Sequence, residues 1–463
     1  MFAPIGAGEG IRGDGRLALD QNEQDSQQLA DGLRGRLISA SKALFLSKGL
    51  AGTSVDAIVA SARTSKREFY KHFADREAVF LEIVEHSLLD PDAQLVSIRN
   101  VMAEDLDGRE DEAESLKTFL FKAARFLYGA HLEPQSLGLF RTAIEAAILH
   151  PEVSGAVYEA RTRSFLEGYF KEQLQQPDFQ YDDPYLTAIR FGHLATDGFR
   201  SMIAGAFLSE IQQAALAKQT AELFIDGHAS QELRDSRTIA TWEEMAQPLC
   251  VAAGDAPILE FSGDTRLGHA VWNKVLDVAW EQFSACGYAK ASLNFIAQQA
   301  DVPRNTLYRR FGSKENLFVA SAGRVVDQAF GSPLTIGQSG GTARDVLIAV
   351  ALQLLRRFHE PANLALHRLL FIESARKPEI TGAIHAYLMR KNEKTLRPVF
   401  AWLTSNGLIL DEFAAEAPWR FYILATFGSR FMFVQANDGS QQERLAKEAV
   451  DLFLFGCRRP KVR

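Results

Sequence analysis

Lys66, Arg67, Tyr70, Lys71 and His72 crowd one short stretch, "KREFYKHF". Arg304, Asn305, Thr306, Tyr308, Arg309 and Arg310 crowd another, "RNTLYRRF". Arginine and lysine can bond guanine edges or phosphates, asparagine can pair with adenine, and a tyrosine hydroxyl commonly donates to phosphate. The chemistry on offer is recognition of a polyanion. Over Ser61–Arg76 lysines and arginines exceed acids by three, and over Asp301–Lys314 they exceed them by three again. These local excesses sit on a chain of 463 residues with a net charge of −7, so the pattern is two basic heads on an acidic body.

The elements that must hold these residues are readable around them. Sliding the sequence on itself aligns Leu37–Phe80 with Val275–Phe318 without a gap, and Phe45/Phe283, Gly49/Gly287, Ser54/Ser292, Ile58/Ile296, Tyr70/Tyr308 and Phe73/Phe311 are identical. In each copy a first helix, about Gly35–Lys48 or Ala270–Cys286, stops at a glycine suited to a left-handed cap. Ser54 and Ser292 stand where a side-chain oxygen caps the next helix, Val55–Ser61 or Leu293–Gln299. A second short helix starts near Ser65 or Pro303, where a proline is tolerated. Two short helices joined by a tight turn, the second one basic, make a helix-turn-helix. Phe69 and Phe73, like Leu307 and Phe311, lie four apart and face the core, which leaves the polar residues outside. The next helix begins at Asp75 or Ser313. Arg76 or Lys314 then stands beside its positive end, a natural phosphate clamp.

The repeat continues beyond the heads. Leu139–Ala156 answers Leu366–Ala383, Leu194–Met202 answers Leu424–Met432, and Leu216–Gly227 answers Leu445–Gly456. Two copies of one unit therefore fill the chain. The rest of each copy reads as amphipathic helix, with alternating strand patterns nearly absent. The organisation expected is a disordered tail over 1–34, a first head over 35–83 and a first helical regulatory domain over 84–227. A linker over 228–267 then leads to a second head over 268–321 and a second regulatory domain over 322–463. A flexible forty-residue linker reaches roughly 35 Å. An apolar fraction of 47% with 24% charged residues is ordinary for a globular protein, and no run is long enough to span a bilayer. The first thirty residues lack the layout of a secretory signal. Cys250, Cys286 and Cys457 stand far apart, which argues for a reducing, cytoplasmic setting and against a zinc knuckle. "IGAGEG" lacks the strand and helix of a phosphate loop, and ten scattered histidines show no ligand spacing. No catalytic set, metal or cofactor emerges.

"SLNFIAQQADVPRNTLYRRFGSKENLF" closely resembles the DNA-binding head of TetR-type transcriptional regulators, and the first copy resembles it more loosely. The resemblance implies an all-α fold of two tandem TetR-like units, each a three-helix head plus a helical ligand-binding and dimerisation domain. It implies no catalysis, double-stranded DNA as partner, a small-molecule effector, and DNA contacts from the second and third helices and the start of the fourth. The 32 phenylalanines add a weak hint that the effector is hydrophobic. The first copy departs from the family by carrying Arg63 where glycine is usual, and by carrying Glu68 where the second copy has Thr306. Neither copy has the common glycine at Arg67 or Asn305. The two copies are expected to pair inside one chain as an intrachain pseudo-dimer, through Tyr185–Phe207 with Leu208–Phe224 and Trp419–Val434 with Gln441–Phe455. Further pairing of chains stays open. Arg200 and Arg430 occupy matching places, where each could meet an acidic effector or, more simply, a structural carboxylate. The competing reading is a ligand-sensing or protein-interaction module with one or both heads inactive, which Glu68 favours.

Overall fold

The computed structural model describes residues 32–50, 52–88, 112–149, 183–204, 207–230, 233, 268–331, 334, 342–426 and 439–457. Among them no strand forms, and the all-α expectation holds. The tail, Cys250, Arg430, most of the linker and the second half of the Trp419–Val434 segment lie outside the described residues.

The helices fall into two compact units. The first holds α1 (Leu33–Lys48), α2 (Val55–Ser61), α3 (Lys66–His72) and α4 (Arg76–Leu88). Beyond α5 (Glu112–Leu132), which belongs to the second unit, it also holds α6 (Pro134–Leu149). The local signals act as the sequence implies. Ser54 Oγ accepts from the Ala57 N–H at 3.2 Å, and Ser65 Oγ accepts from the Glu68 N–H at 3.2 Å. α1 ends at Gly49 with φ 72° and ψ 172°. That is positive φ with an extended ψ, rather than the left-handed helical cap expected, and only glycine adopts it readily. Arg63 sits at φ 52° in the turn between α2 and α3, a costly conformation for a residue with a Cβ. Phe45, Ile58, Phe69 and Phe80 are fully buried, with Phe45 and Phe80 edge to face at 5.4 Å. α6 packs on α1, where Thr142 Oγ1 donates to the Phe45 carbonyl at 3.3 Å.

The second unit begins with α5 and continues with α7 (Pro184–Ala195), a 3-10 turn at Asp197–Phe199, α8 (Arg200–Ala204) and α9 (Glu210–Asp226). The whole second copy follows: α10 (His269–Lys290), α11 (Leu293–Ala300), α12 (Arg304–Phe311), α13 (Lys314–Phe330), α14 (Ala343–His359), α15 (Pro361–Glu373), α16 (Pro378–Ser405), α17 (Ala417–Thr426) and α18 (Gly439–Phe455). α10 to α13 repeat the first head. Phe283 meets Phe318 edge on at 5.0 Å, and Asp301 holds φ 59° at the place of Arg63. Within the α10 span the helical backbone breaks at Gly287, at φ 78° and ψ 164°, much as α1 ends at Gly49, so the expected stop is there and a short second helical stretch follows it.

The expected interface segments meet within this unit. α7 packs on α5 and α9, α17 packs on α14 and α18, and across the copies α7 packs on α17 and α9 on α18. The contacts are reciprocal. The His228 N–H donates to the Phe453 carbonyl at 2.8 Å, and the Cys457 N–H donates to the Phe224 carbonyl at 2.9 Å. His228 answers Cys457 in the repeat, and Phe224 answers Phe453, so residue i meets j while j meets i, the mark of an isologous contact. Side chains follow the same rule. Arg190, in "RFGHLAT", donates to Glu448 at 3.1 Å, and its counterpart Arg420, in "RFYILAT", donates at 2.6 Å to Gln219, the counterpart of Glu448. The start of the expected linker is not free. Ser230 donates its N–H to the Leu408 carbonyl at 3.0 Å, the Leu410 N–H donates to the His228 carbonyl at 3.1 Å, and Ala229 bridges Ile409. Long-range backbone pairing overrides a composition of glycine, alanine and serine here.

Candidate nucleic-acid interface

The second head presents its reading residues on α12 because Leu307 and Phe311, at 2% and 4% exposure, anchor the opposite side. Arg304, Asn305, Tyr308 and Arg309 are exposed, and Thr306 and Arg310 are half-buried. Arg304 donates to the Tyr308 hydroxyl oxygen at 3.1 Å with its guanidinium 5.3 Å from the ring centre. The tyrosine hydrogen is left to donate outward, to a phosphate for instance. Arg310 turns back onto Trp272, 5.3 Å from the ring centre. Ser292 caps α11, accepting from the Phe295 N–H at 3.4 Å. Ser313 caps α13, accepting from Asn316 at 3.1 Å. Lys314 sits at that helix's positive end, donates to the Ala289 carbonyl at 3.1 Å and lies 4.9 Å from the Tyr288 ring.

The first head has the same frame and a different electrostatic surface. Arg67, Tyr70 and His72 are exposed beside the buried Phe69. Lys66 pairs with Asp56 across the turn at 2.8 Å, and Lys71 pairs with Glu68 at 2.7 Å. The hydrogen bond and charge of Asp56 raise the Lys66 pKa. The second head has Asn294 and Thr306 at those two acidic places, so its cations carry no such counter-charges on α11 and α12. Arg76 departs most from its expected part. Its guanidinium donates to the Leu50 and Thr53 carbonyls at 3.2 and 2.9 Å and to Glu77 at 2.8 Å, tying α4 to the turn before α2. The α4 N-terminus itself is capped by Asp75, which accepts from the Ala78 N–H at 2.7 Å.

The profile of the family described as bacterial regulatory proteins, tetR family, matches residues 37–83 and again residues 275–321. The chain carries two TetR-family DNA-binding heads in tandem. Three solved structures are similar. A protein described as a TetR-family transcriptional regulator from Mesorhizobium loti is 26% identical, over 42% of this chain and 95% of that one, with a TM-score of 0.34. The flavonoid-responsive regulator FrrA is 22% identical, over 40% and 91%, with a TM-score of 0.32. A TetR-family regulator from Pseudomonas syringae pv. tomato is 22% identical, over 42% and 95%, with a TM-score of 0.30. No curated protein matches the chain. Among the described residues no helix is long and apolar enough to cross a membrane, and no group of His, Cys, Asp and Glu is placed to hold a metal ion.

The second TetR-type head packs on its own regulatory helices, α10 on α15 and α13 on α15 and α16, and an ion pair adds to that packing. Lys377, between α15 and α16, reaches Glu315 in the first turn of α13 at 3.1 Å. The Tyr288 hydroxyl and Lys377 hold the Glu315 carboxyl down at about 2, while burial pushes the Tyr288 phenol up. The residue missed by sequence reading is Asp56. Comparing the copies exposes the signal, because the second copy has the neutral Asn294 there.

Proposed function

We propose that the chain is a sequence-specific transcriptional regulator, a ligand-responsive repressor of the cytoplasm whose two TetR-type units pair within one chain on an asymmetric operator. The observation that carries this reading is the reciprocal seam, with His228 to Phe453 answered by Cys457 to Phe224 and Arg190 to Glu448 answered by Arg420 to Gln219. A surface of this kind is what two subunits of a symmetric dimer use. Fusion makes the pairing intramolecular, at an effective concentration on the order of millimolar. A homodimer imposes a palindromic site; two unlike reading helices do not. The half-sites are expected about one helical turn apart, roughly 34–36 Å. Arg304, Asn305, Thr306, Tyr308 and Arg309 read one half-site, with Ser292, Arg310 and Lys314 at its phosphates. Lys66, Arg67, Tyr70, Lys71 and His72 address the other, with Ser54 and the α4 start beside Arg76 at the backbone.

The Lys66–Asp56 and Lys71–Glu68 pairs favour a second reading, in which the first head is weak on DNA and serves sensing or protein contact. Selection of random duplexes by the purified chain at about 150 mM salt separates the two, because phosphate attraction is screened there. An asymmetric two-part consensus bound by one chain supports the fused regulator, and a lone half-site supports the second reading. A palindrome bound by two chains contradicts the proposal. Alanine at Arg304, Asn305 or Arg309 should cost about 1–3 kcal/mol and relax the consensus at one position; equal loss on random DNA would reduce these residues to phosphate contacts.

A further inference from the structure

Glu68 is the one acid on α3, and α12, with Thr306 in its place, has none. Phe69 and Phe73 are the buried residues of this stretch. At roughly 100° per residue they put Lys71 opposite the core, with Arg67 roughly 40° to one side of it and Glu68 roughly 60° to the other. Glu68 therefore shares the outward arc with the cations. An acid in that arc is repelled by every phosphate the helix approaches, so a compensating contact is needed if α3 is to lie on DNA.

The local geometry supplies one. Lys71 Nζ donates to Glu68 Oε1 at 2.7 Å, while Glu68 Oε2 has no hydrogen-bond partner among the described residues. The ammonium keeps further N–H groups to donate elsewhere. The pair thus carries a donor and an acceptor side by side on the outward arc. In the major groove a G·C pair shows the guanine N7 and O6 acceptors and, next to them, the cytosine N4 donor, which is the complementary order. An A·T pair sets its one donor, adenine N6, between the adenine N7 and thymine O4 acceptors. Both of those repel a carboxylate, and thymine adds a methyl group.

We propose that Glu68 is a specificity-determining residue that selects a G·C pair in the first half-site. Its carboxylate accepts from the cytosine N4–H, and Lys71 holds that carboxylate in place while donating to the guanine O6 of the same pair. The inference rests on the regulator reading and gives Glu68 a part in it other than neutralising the head. The two half-sites then differ in the chemistry that reads them, since the matching arc of α12 presents Asn305, Thr306 and Arg309 with no acid.

The test is selection of random duplexes at about 150 mM salt by three full-length chains: the parent, Glu68→Gln and Glu68→Thr. The second half-site serves as internal control, since its consensus should stay the same in all three and shows that each variant folds and binds. Glu68→Gln should turn one cytosine of the first half-site into adenine, because a carboxamide pairs with adenine N6 and N7. Glu68→Thr should leave no cytosine preference there. On the operator selected by the parent, Glu68→Gln should bind at least about fivefold more weakly. A two-part consensus that Glu68→Gln leaves unaltered, or a gain in affinity for all sequences alike, overturns this assignment alone and reduces the acid to a neutralising charge. A parent that selects the second half-site only overturns the fused two-site reading and this assignment together.

Discussion

Alanine in place of Gly456 is expected to break the crossing of α9 and α18. Gly456 has φ 64°, and a Cβ there would overlap the Ile225 carbonyl; Gly227 has φ 66° and ψ −173°, and a Cβ there would overlap the Leu454 carbonyl. Positive φ with extended ψ costs a residue with a side chain about 1–3 kcal/mol. Opening a packed crossing to admit a methyl group costs about 1–3 kcal/mol more. Each single substitution should therefore destabilise the seam by about 2–6 kcal/mol. The seam hydrogen bonds at Cys457 and His228, worth about 1 kcal/mol each, are at risk in addition. Urea denaturation followed by circular dichroism measures this, with Gly439→Ala as control. A Cβ at Gly439 meets nothing within 4 Å, and that variant should stay within about 0.5 kcal/mol of the parent. Because both glycines serve one crossing, the double variant should lose clearly less than the sum of the singles. Loss below about 1 kcal/mol at both positions, loss at one position only, or full additivity would refute the reciprocal seam.

Three further outcomes are expected. His228, His367 and His385 are buried, and burial lowers their pKa from 6.5 to about 3, about 4 and about 3. Their neutral forms favour folding above pH 6.5, and stability should fall as pH drops below it, by about 2 kcal/mol per histidine at pH 5; a flat profile between pH 7 and 5 would contradict their burial. Asp56→Asn combined with Glu68→Thr gives the first head the neutral residues of the second and releases Lys66 and Lys71. On the selected operator the plot of log affinity against log salt should steepen by about 2, and an unchanged slope would mean those lysines do not reach phosphate. Arg63→Gly should stabilise the first head by about 1 kcal/mol in thermal melts, since its φ of 52° suits glycine; destabilisation would mean that the arginine side chain makes a contact worth more than the strain.

The heads were legible because their determinants are local. Ser54 and Ser65 cap the helices that follow them, Gly49 turns the chain, and the four-residue spacing of Phe69 and Phe73 picks the buried side, all within a few residues of one another. The seam was legible as a region, because terminal amphipathic helices had to bury their faces somewhere. What stayed hidden needed distances that no short window contains. Arg76 read as a phosphate clamp from its place at a helix start, yet its guanidinium meets the Leu50 and Thr53 carbonyls. Asp56 precedes Lys66 by a turn and a half-helix, so its neutralising role waits on the angle between α2 and α3. Residues 228–230 read as linker, and only the distant Leu408–Leu410 segment shows why they are ordered.

The seam also shows what a single chain permits that two identical ones do not. Where backbone meets backbone, the two sides stay equivalent, since Gly227 and Gly456 each leave room for the other copy's carbonyl. Where side chains meet, they diverge. Arg190 and Arg420 are both fully buried, and burial lowers the pKa of each, so each needs a counter-charge to remain ionised at low cost. Arg190 finds Glu448 on the second copy, whereas the residue equivalent to Glu448 on the first copy is the neutral Gln219. Arg420 instead feels the charges of Asp197, at the kink after α7, and of Glu416 on its own copy; Asp197 also accepts from Trp419 Nε1 at 2.7 Å. The two buried cations thus answer to acids at places that do not correspond in the repeat. In a homodimer one substitution changes both sides at once, so losing the glutamate would strip both arginines of that partner together. Fused copies can lose one and replace it by a different residue, and the same freedom lets α3 and α12 carry unlike reading surfaces on one shared frame.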